Sequence, residues 1–175
     1  VFRECGRDYR MGSQLCKMTI NADGTVSTEV LLDCPEGVIR DPCVSYDGGT
    51  LAFSMRRTSH DGDDDFHLYV MNLTDRSVRQ ITFGAGTADM EPEWLPGGGL
   101  VAAETLARLT ERAAEVLDEL QRANPLRWGT TRGELKSRLG KKVPADLFER
   151  VIGELDGAGR VSQKGEHLRL GAEEM

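Results

Sequence analysis

What this sequence lacks narrows it first. No apolar run approaches the length of a membrane span, and no basic stretch followed by an apolar one opens the chain, so neither a spanning helix nor a signal peptide is expected. Aromatic residues are scarce, at 6% of the chain. The four cysteines, Cys5, Cys16, Cys34 and Cys43, contain no Cys-x-x-Cys pair, which argues against a zinc site. No G-x-x-x-x-G-K-[ST] stretch cradles a phosphate. Ser, His and Asp, or Cys and His, never fall in a recognisable nucleophile context. An enzyme is therefore not expected, and neither a cofactor nor a metal is implied.

What is present divides near the middle. The 175 residues suffice for one large domain or two small ones. Residues 1–99 hold nine Lys and Arg against sixteen Asp and Glu, a net of −7. Residues 100–175 hold thirteen of each, a net of zero. All four cysteines lie in the first part. These shifts converge on Gly97-Gly98-Gly99, which sets the expected domains at 1–99 and 100–175.

The first part repeats itself. Leu15 corresponds to Leu68 and Met18 to Met71, each 53 apart, and Pro42 corresponds to Pro92, 50 apart. A period near 50 points to supersecondary units too small to bury their own faces. Short strand signals, "QLCKMTI", "TEVLL", "TLAFSM", "HLYVMNL" and "VRQIT", alternate with turn signals such as "NADG", "YDGG" and "LTDRS". Antiparallel β-structure follows, as a sandwich, a barrel or a propeller blade. Cys16 and Cys43 sit in apolar strand patterns, where a buried thiol is the expected state. A Cys5–Cys34 disulfide is an open alternative if the protein is exported. "HDGDDDFH", residues 60–67, reads as a solvated loop rather than a calcium site, because the spacing is wrong and no Glu closes it. Asp41 and Asp89, at or just before the two Glu/Asp-Pro steps, read as turn and backbone-capping acids.

"DPCVSYDGGTLAFSMRR", "HLYVMNLTDRSVRQITFG" and "DMEPEWLPGG" together resemble the TolB-like, WD-like β-propeller repeat, and more narrowly the large exported propeller proteins of planctomycete-type bacteria. The resemblance covers residues 13–98 and implies a partial propeller of about two repeats, with open strand edges that invite a protein partner. Taken alone it implies export. After "PEWLPGG" the repeat expects a strand like that at residues 51–55; the sequence instead continues as "LVAAETLARL", which is helix composition.

From Ala102 the apolar period changes to three and four: Leu106, Leu109, Ala113, Val116, Leu117 and Leu120 line one helix face. That helix should end near Asn124, because the residue before Pro125 disfavours helix. Thr131 with Glu134 is a capping-box signature, and Gly140 is a stop. Pro144 opens a third helix with Leu147, Phe148, Val151, Ile152 and Leu155 on one face, ended by Gly157 or Gly159. Val161, a Lys164-Gly165 turn, and then Leu168 and Leu170 read as a hairpin. Three helices and a terminal hairpin make a winged helix-turn-helix. The fold class is therefore α+β by segregated domains, antiparallel β first and winged helix second.

The stretch from 114 to 170, with Pro125-Leu126-Arg127, Gly129, Glu134-Leu135, Arg138-Leu139, Phe148, Leu155, Gly159, Gly165 and Leu168, resembles a winged-helix repeat of SelB, the bacterial selenocysteine-specific elongation factor. In that family the C-terminal winged helices link a GTPase to a hairpin in selenoprotein messenger RNA. The resemblance implies a cytoplasmic, translation-associated module whose partner is that RNA or the ribosome side; the family's main RNA contact belongs to its last winged helix, and this copy resembles an internal one that spaces and orients.

Charge tests direct contact. Helix three, residues 145–158, has a net of −3, which disfavours reading a DNA groove. Residues 122–142 have a net of +6 from Arg122, Arg127, Arg132, Lys136, Arg138, Lys141 and Lys142 against Glu134. With Trp128 among them, these residues are the candidates to track phosphates and stack a base. The competing reading is a solvated helix face with Trp128 as a lid on the core. The joining of two families of different compartment also raises a chimeric reading frame, and the alternative function is an exported propeller scaffold for protein partners.

Overall fold

The computed structural model describes residues 12–57, 65–84, 88–140 and 142–171. The chain divides into two units, Val1–Glu93 and Trp94–Met175, the division falling ahead of the glycine triplet. Among the described residues no helix is long and apolar enough to cross a membrane.

Between residues 13 and 80 the described strands of the first unit pair antiparallel throughout. β1 (Ser13–Ile20) and β2 (Val26–Cys34) form a hairpin, and β3 (Gly37–Val44), β4 (Thr50–Arg57), β5 (His67–Asn72) and β6 (Val78–Gln80) form a four-stranded meander in that order. Short polar side chains close the turns. Asp23 accepts from the Thr25 amide at 2.9 Å, Asp47 from that of Gly49 at 2.9 Å, and Asp75 from that of Ser77 at 2.9 Å. Each of these carboxyls is held below the usual carboxylate range, chiefly by the hydroxyl hydrogen-bonded to it. Phe53, Met55 and Met71 are fully buried, and Phe53 stacks on Tyr69 with ring centroids 5.9 Å apart.

β3 carries a proline, which is tolerated because β3 is an edge strand with a register shift between Arg40 and Cys43. Asp41 and Glu91, the residues before Pro42 and Pro92, take φ of 53° and 51°. Positive φ at a non-glycine residue is uncommon and costs on the order of 1–3 kcal/mol. The buried Ser54 hydroxyl holds both sites, donating to Asp41 Oδ2 at 3.3 Å and accepting from the Glu91 amide at 3.1 Å. The 50-residue spacing of the two prolines is thus matched in the backbone. Among the described residues these strands form open sheets, with no closed barrel or propeller.

Two expectations are corrected here. Cys16 is exposed and Cys43 half-buried, while Cys34 is buried, so burial raises the Cys34 thiol pKa. The shift at Leu15/Cys16 leaves Leu15 on the core side, and Cys16 points with Met18 and Ile20 to the outer face. Cys5, and with it the Cys5–Cys34 pairing, lies outside the described residues, as do Asp61, Asp63 and Asp64.

The second correction concerns the missing strand. β7 (Pro92–Trp94) does pair with a strand, β8 (Leu100–Ala102), through a turn closed by Leu95 N to Gly99 O at 2.8 Å. β8 is only three residues long, and α1 (Ala103–Ala123) starts directly after it with no side-chain cap. Alanine-rich composition takes over without punctuation, so the sequence pattern hides the strand. Leu95 and Val101 enter the core of the helical unit. A Cβ on Gly97 would lie 2.6 Å from Asp146 Oδ2 and one on Gly99 3.4 Å from Leu95 Cδ1, so Gly97 and Gly99 are packed, while Gly98 is open with a φ of 82°.

The rest of the second unit runs β9 (Thr130–Thr131), α2 (Arg132–Leu139), α3 (Ala145–Gly157), β10 (Val161–Lys164) and β11 (His167–Leu170). The small strands form one sheet in the order β10-β11-β9. α1 buries Leu106, Ala113, Val116, Leu117 and Leu120 against Leu135, Phe148, Val151, Ile152 and Leu155. Asn124 closes α1, its side-chain amide donating to Leu120 O at 3.2 Å. Thr131 caps α2, accepting from the Glu134 amide at 3.2 Å. Gly159, with φ of 65°, ends α3: Arg160 N donates to Leu155 O and Gly159 N to Asp156 O, both at 2.8 Å. This is a winged helix, with β10 and β11 as the wing.

Candidate nucleic-acid interface

The basic segment does not present one continuous face. Arg122 pairs with Asp118 at 2.7 Å, one turn back on α1. Arg127 pairs with Glu134 at 3.4 Å, which engages the side chain a full capping box would turn back to Thr131. Arg132, at the start of α2, reaches Glu149 of α3 at 2.6 Å and Gln163 of the wing at 2.7 Å. Arg132 therefore ties three elements together. Two of the four acids of α3 are engaged in the same way, Glu149 by Arg132 and Glu154 by Arg150.

The remaining cations fall into two groups. Lys136 lies over the Phe148 ring, its Nζ 5.8 Å from the centroid, within cation–π range. Arg138 and Lys142 are exposed and make no ion pair with a described residue, and Lys141 lies outside the described residues. These mark the C-terminal end of α2. The second group is on the wing and was missed in the sequence. Register pairs Lys164 with His167 and Ser162 with Arg169, so these four share the outer face while Val161 and Leu168 are buried inward. Lys164 and Arg169 are exposed and make no ion pair with a described residue. The alternation in "VSQKGEHLRL" carries that signal, once the apolar positions are assigned inward.

Trp128 connects the basic segment to the wing. It is half-buried, and the Lys164 Nζ sits 5.8 Å from its ring centroid. Gly129 makes this possible. A Cβ there would meet the Leu168 carbonyl oxygen at 2.5 Å, so only glycine lets the segment that leads from Trp128 into β9 lie close on β11. Arg160, at the base of the wing, is hydrogen-bonded to both oxygens of Glu111 on α1, which holds that carboxyl below the usual range.

The site holds cations, one aromatic face and hydrogen-bonding side chains, the parts that bind a polyanion bearing flat rings. Among the described residues, no three His, Cys, Asp or Glu side chains are grouped to hold a metal ion. No curated protein and no solved structure matches the chain. One family model does: residues 114–170, about a third of the chain, match the model described as elongation factor SelB, winged helix.

Proposed function

We propose that the second unit is a non-enzymatic, RNA-contacting winged helix of the translation apparatus, with a role like that of the SelB winged helix it matches. The match carries this reading, because it spans both unpaired cation groups and Trp128. The partner is RNA, either a messenger hairpin or the ribosome side, and the compartment is the cytoplasm. Five cations, Lys136, Arg138, Lys142, Lys164 and Arg169, are available for phosphates. At about −0.7 per phosphate contact on a single strand, they predict a log–log salt slope of up to roughly −3.5. Affinity should then fall on the order of a hundred-fold between 50 and 200 mM salt. The test is equilibrium binding of the full chain to labelled RNA across that range, with Arg138→Gln/Lys142→Gln lowering the slope. No binding at low salt, or binding indifferent to salt, overturns the reading.

A second reading rests on the first unit, as a partial propeller acting as an exported protein-interaction scaffold. It is favoured by the outer face of the β1–β2 hairpin, where Met18, Ile20, Val26 and Val30 are 64%, 68%, 58% and 44% exposed on one side. Met71, the repeat counterpart of Met18, is fully buried in the four-stranded sheet. Concentration-dependent association of the full chain supports this reading, and a monomer at all concentrations opposes it. Whether the two parts share one reading frame is tested by single sequencing reads across codons 95–105, which carry the joint or split at it.

A further inference from the structure

We infer that the outer face of the wing, together with Trp128, is a stacking site for single-stranded RNA in which Lys164 occupies the place of a base when no RNA is bound. The inference rests on the RNA reading above and assigns it a site. Four observations converge. Lys164, His167, Arg169 and Ser162 share one solvent-facing side of the β10–β11 hairpin by register. The Lys164 ammonium lies over the Trp128 ring, 5.8 Å from its centroid. The glycine at 129 brings that ring down onto the wing, its missing Cβ leaving room 3.5 Å from Arg169 Cβ. Neither Lys164 nor Arg169 makes an ion pair with a described residue, whereas Arg122, Arg127, Arg132 and Arg160 each have a carboxylate partner.

The chemistry of the exchange follows. An ammonium over an indole face is held by the ring quadrupole, a weak interaction at a wet surface. A nucleobase gains more by stacking on the same face, and stacking is indifferent to base identity. Displaced from the ring, Lys164 moves only the length of its own side chain to reach a phosphate beside the stacked base. Arg169 supplies the second phosphate contact and His167 a hydrogen bond to a sugar or phosphate oxygen, while the Ser162 hydroxyl, donating to Gly171 O at 2.8 Å, is left to accept from a sugar 2′-hydroxyl. A duplex hides its base faces, so the ligand is a single strand or a loop.

The test uses the full chain with Trp94→Phe, leaving Trp128 as its sole tryptophan. It is titrated with a uridine 12-mer at low salt, the deoxy 12-mer and a duplex serving as comparisons. Trp128 fluorescence should be quenched on RNA binding and not by the duplex. In a Trp94→Phe/Trp128→Ala chain, read by a labelled oligonucleotide, affinity should fall roughly ten-fold or more. Trp128→Phe, which keeps a ring and the fold, should lose less. Lys164→Gln and Arg169→Gln, both on exposed residues, should each make the salt slope shallower by about 0.7. Quenching by the deoxy strand at equal affinity supports the stack but overturns the choice of RNA. If RNA binds without quenching and the wing variants bind normally, this inference falls while the broader RNA reading stands. If no oligonucleotide binds at low salt, both fall.

Discussion

Gly129→Ala isolates the close approach that seats Trp128 on the wing. The φ of Gly129 is not positive, so alanine adopts the backbone without strain, and the cost is the methyl group alone. That methyl would lie 2.5 Å from Leu168 O and 3.0 Å from its carbonyl carbon, both backbone atoms of a hydrogen-bonded strand. Relief requires β9 to lift from β11. Overpacking of this kind costs about 1–3 kcal/mol, offset by about 0.4–1 kcal/mol from a stiffer unfolded chain. A net loss of about 1–2 kcal/mol lowers Tm by roughly 5–15 °C for a domain of this size. Thermal melts followed by tryptophan fluorescence measure it. Gly133→Ala in α2 and Gly153→Ala in α3 are the controls, since no atom lies within 4 Å of a Cβ at either position. Each control should gain about 0.5–1 kcal/mol from helix propensity. A Gly129→Ala protein as stable as wild type, or stabilised like the controls, would refute the packing argument.

Three further outcomes are expected. Arg132→Lys should destabilise the second unit nearly as much as Arg132→Ala, because a point charge cannot reach both Glu149 and Gln163 as the guanidinium fork does; full retention by lysine in a thermal melt would contradict the tie. The pKa of Glu111 is lowered in the folded state by Arg160, so its contribution is present above the ordinary glutamate value of about 4.5 and is lost as pH falls through the folded value. Glu111→Gln should therefore flatten Tm against pH on the acid side, with the difference vanishing at high salt, and an unchanged acid limb would count against the pair. Met18→Lys with Ile20→Lys should suppress any self-association of the chain in light scattering without lowering Tm, since both side chains are 64% and 68% exposed; a large loss of Tm would mean the hairpin face is already covered.

Much of the second unit was legible because its signals are local. The step of three and four along α1, the Asn124-Pro125 stop, the Thr131 cap and the αL glycine at 159 each depend on neighbours within a turn or two. β3 carries no strand signal in the sequence, because Pro42 argues against a strand until the bulge and edge position are seen. β8 and β9 are three and two residues long, too short for any period to register. The site is the least legible part of the sequence. A count of seven cations between 122 and 142 cannot show that Arg132 is engaged by residues 17 and 31 positions away. Nor can it show that the lysine over Trp128 comes from position 164. Charge composition locates a basic segment; long-range pairing decides which of its charges remain available.

The measurement that bears most directly on the central claim is amide and indole NMR of the ¹⁵N-labelled full chain as single-stranded RNA is added at low salt. The account predicts that the Trp128 indole and the amides of residues 162–169 shift first and furthest, with a second set near Arg138 and Lys142. Shifts confined to the first unit, or none at all at low salt, would contradict it.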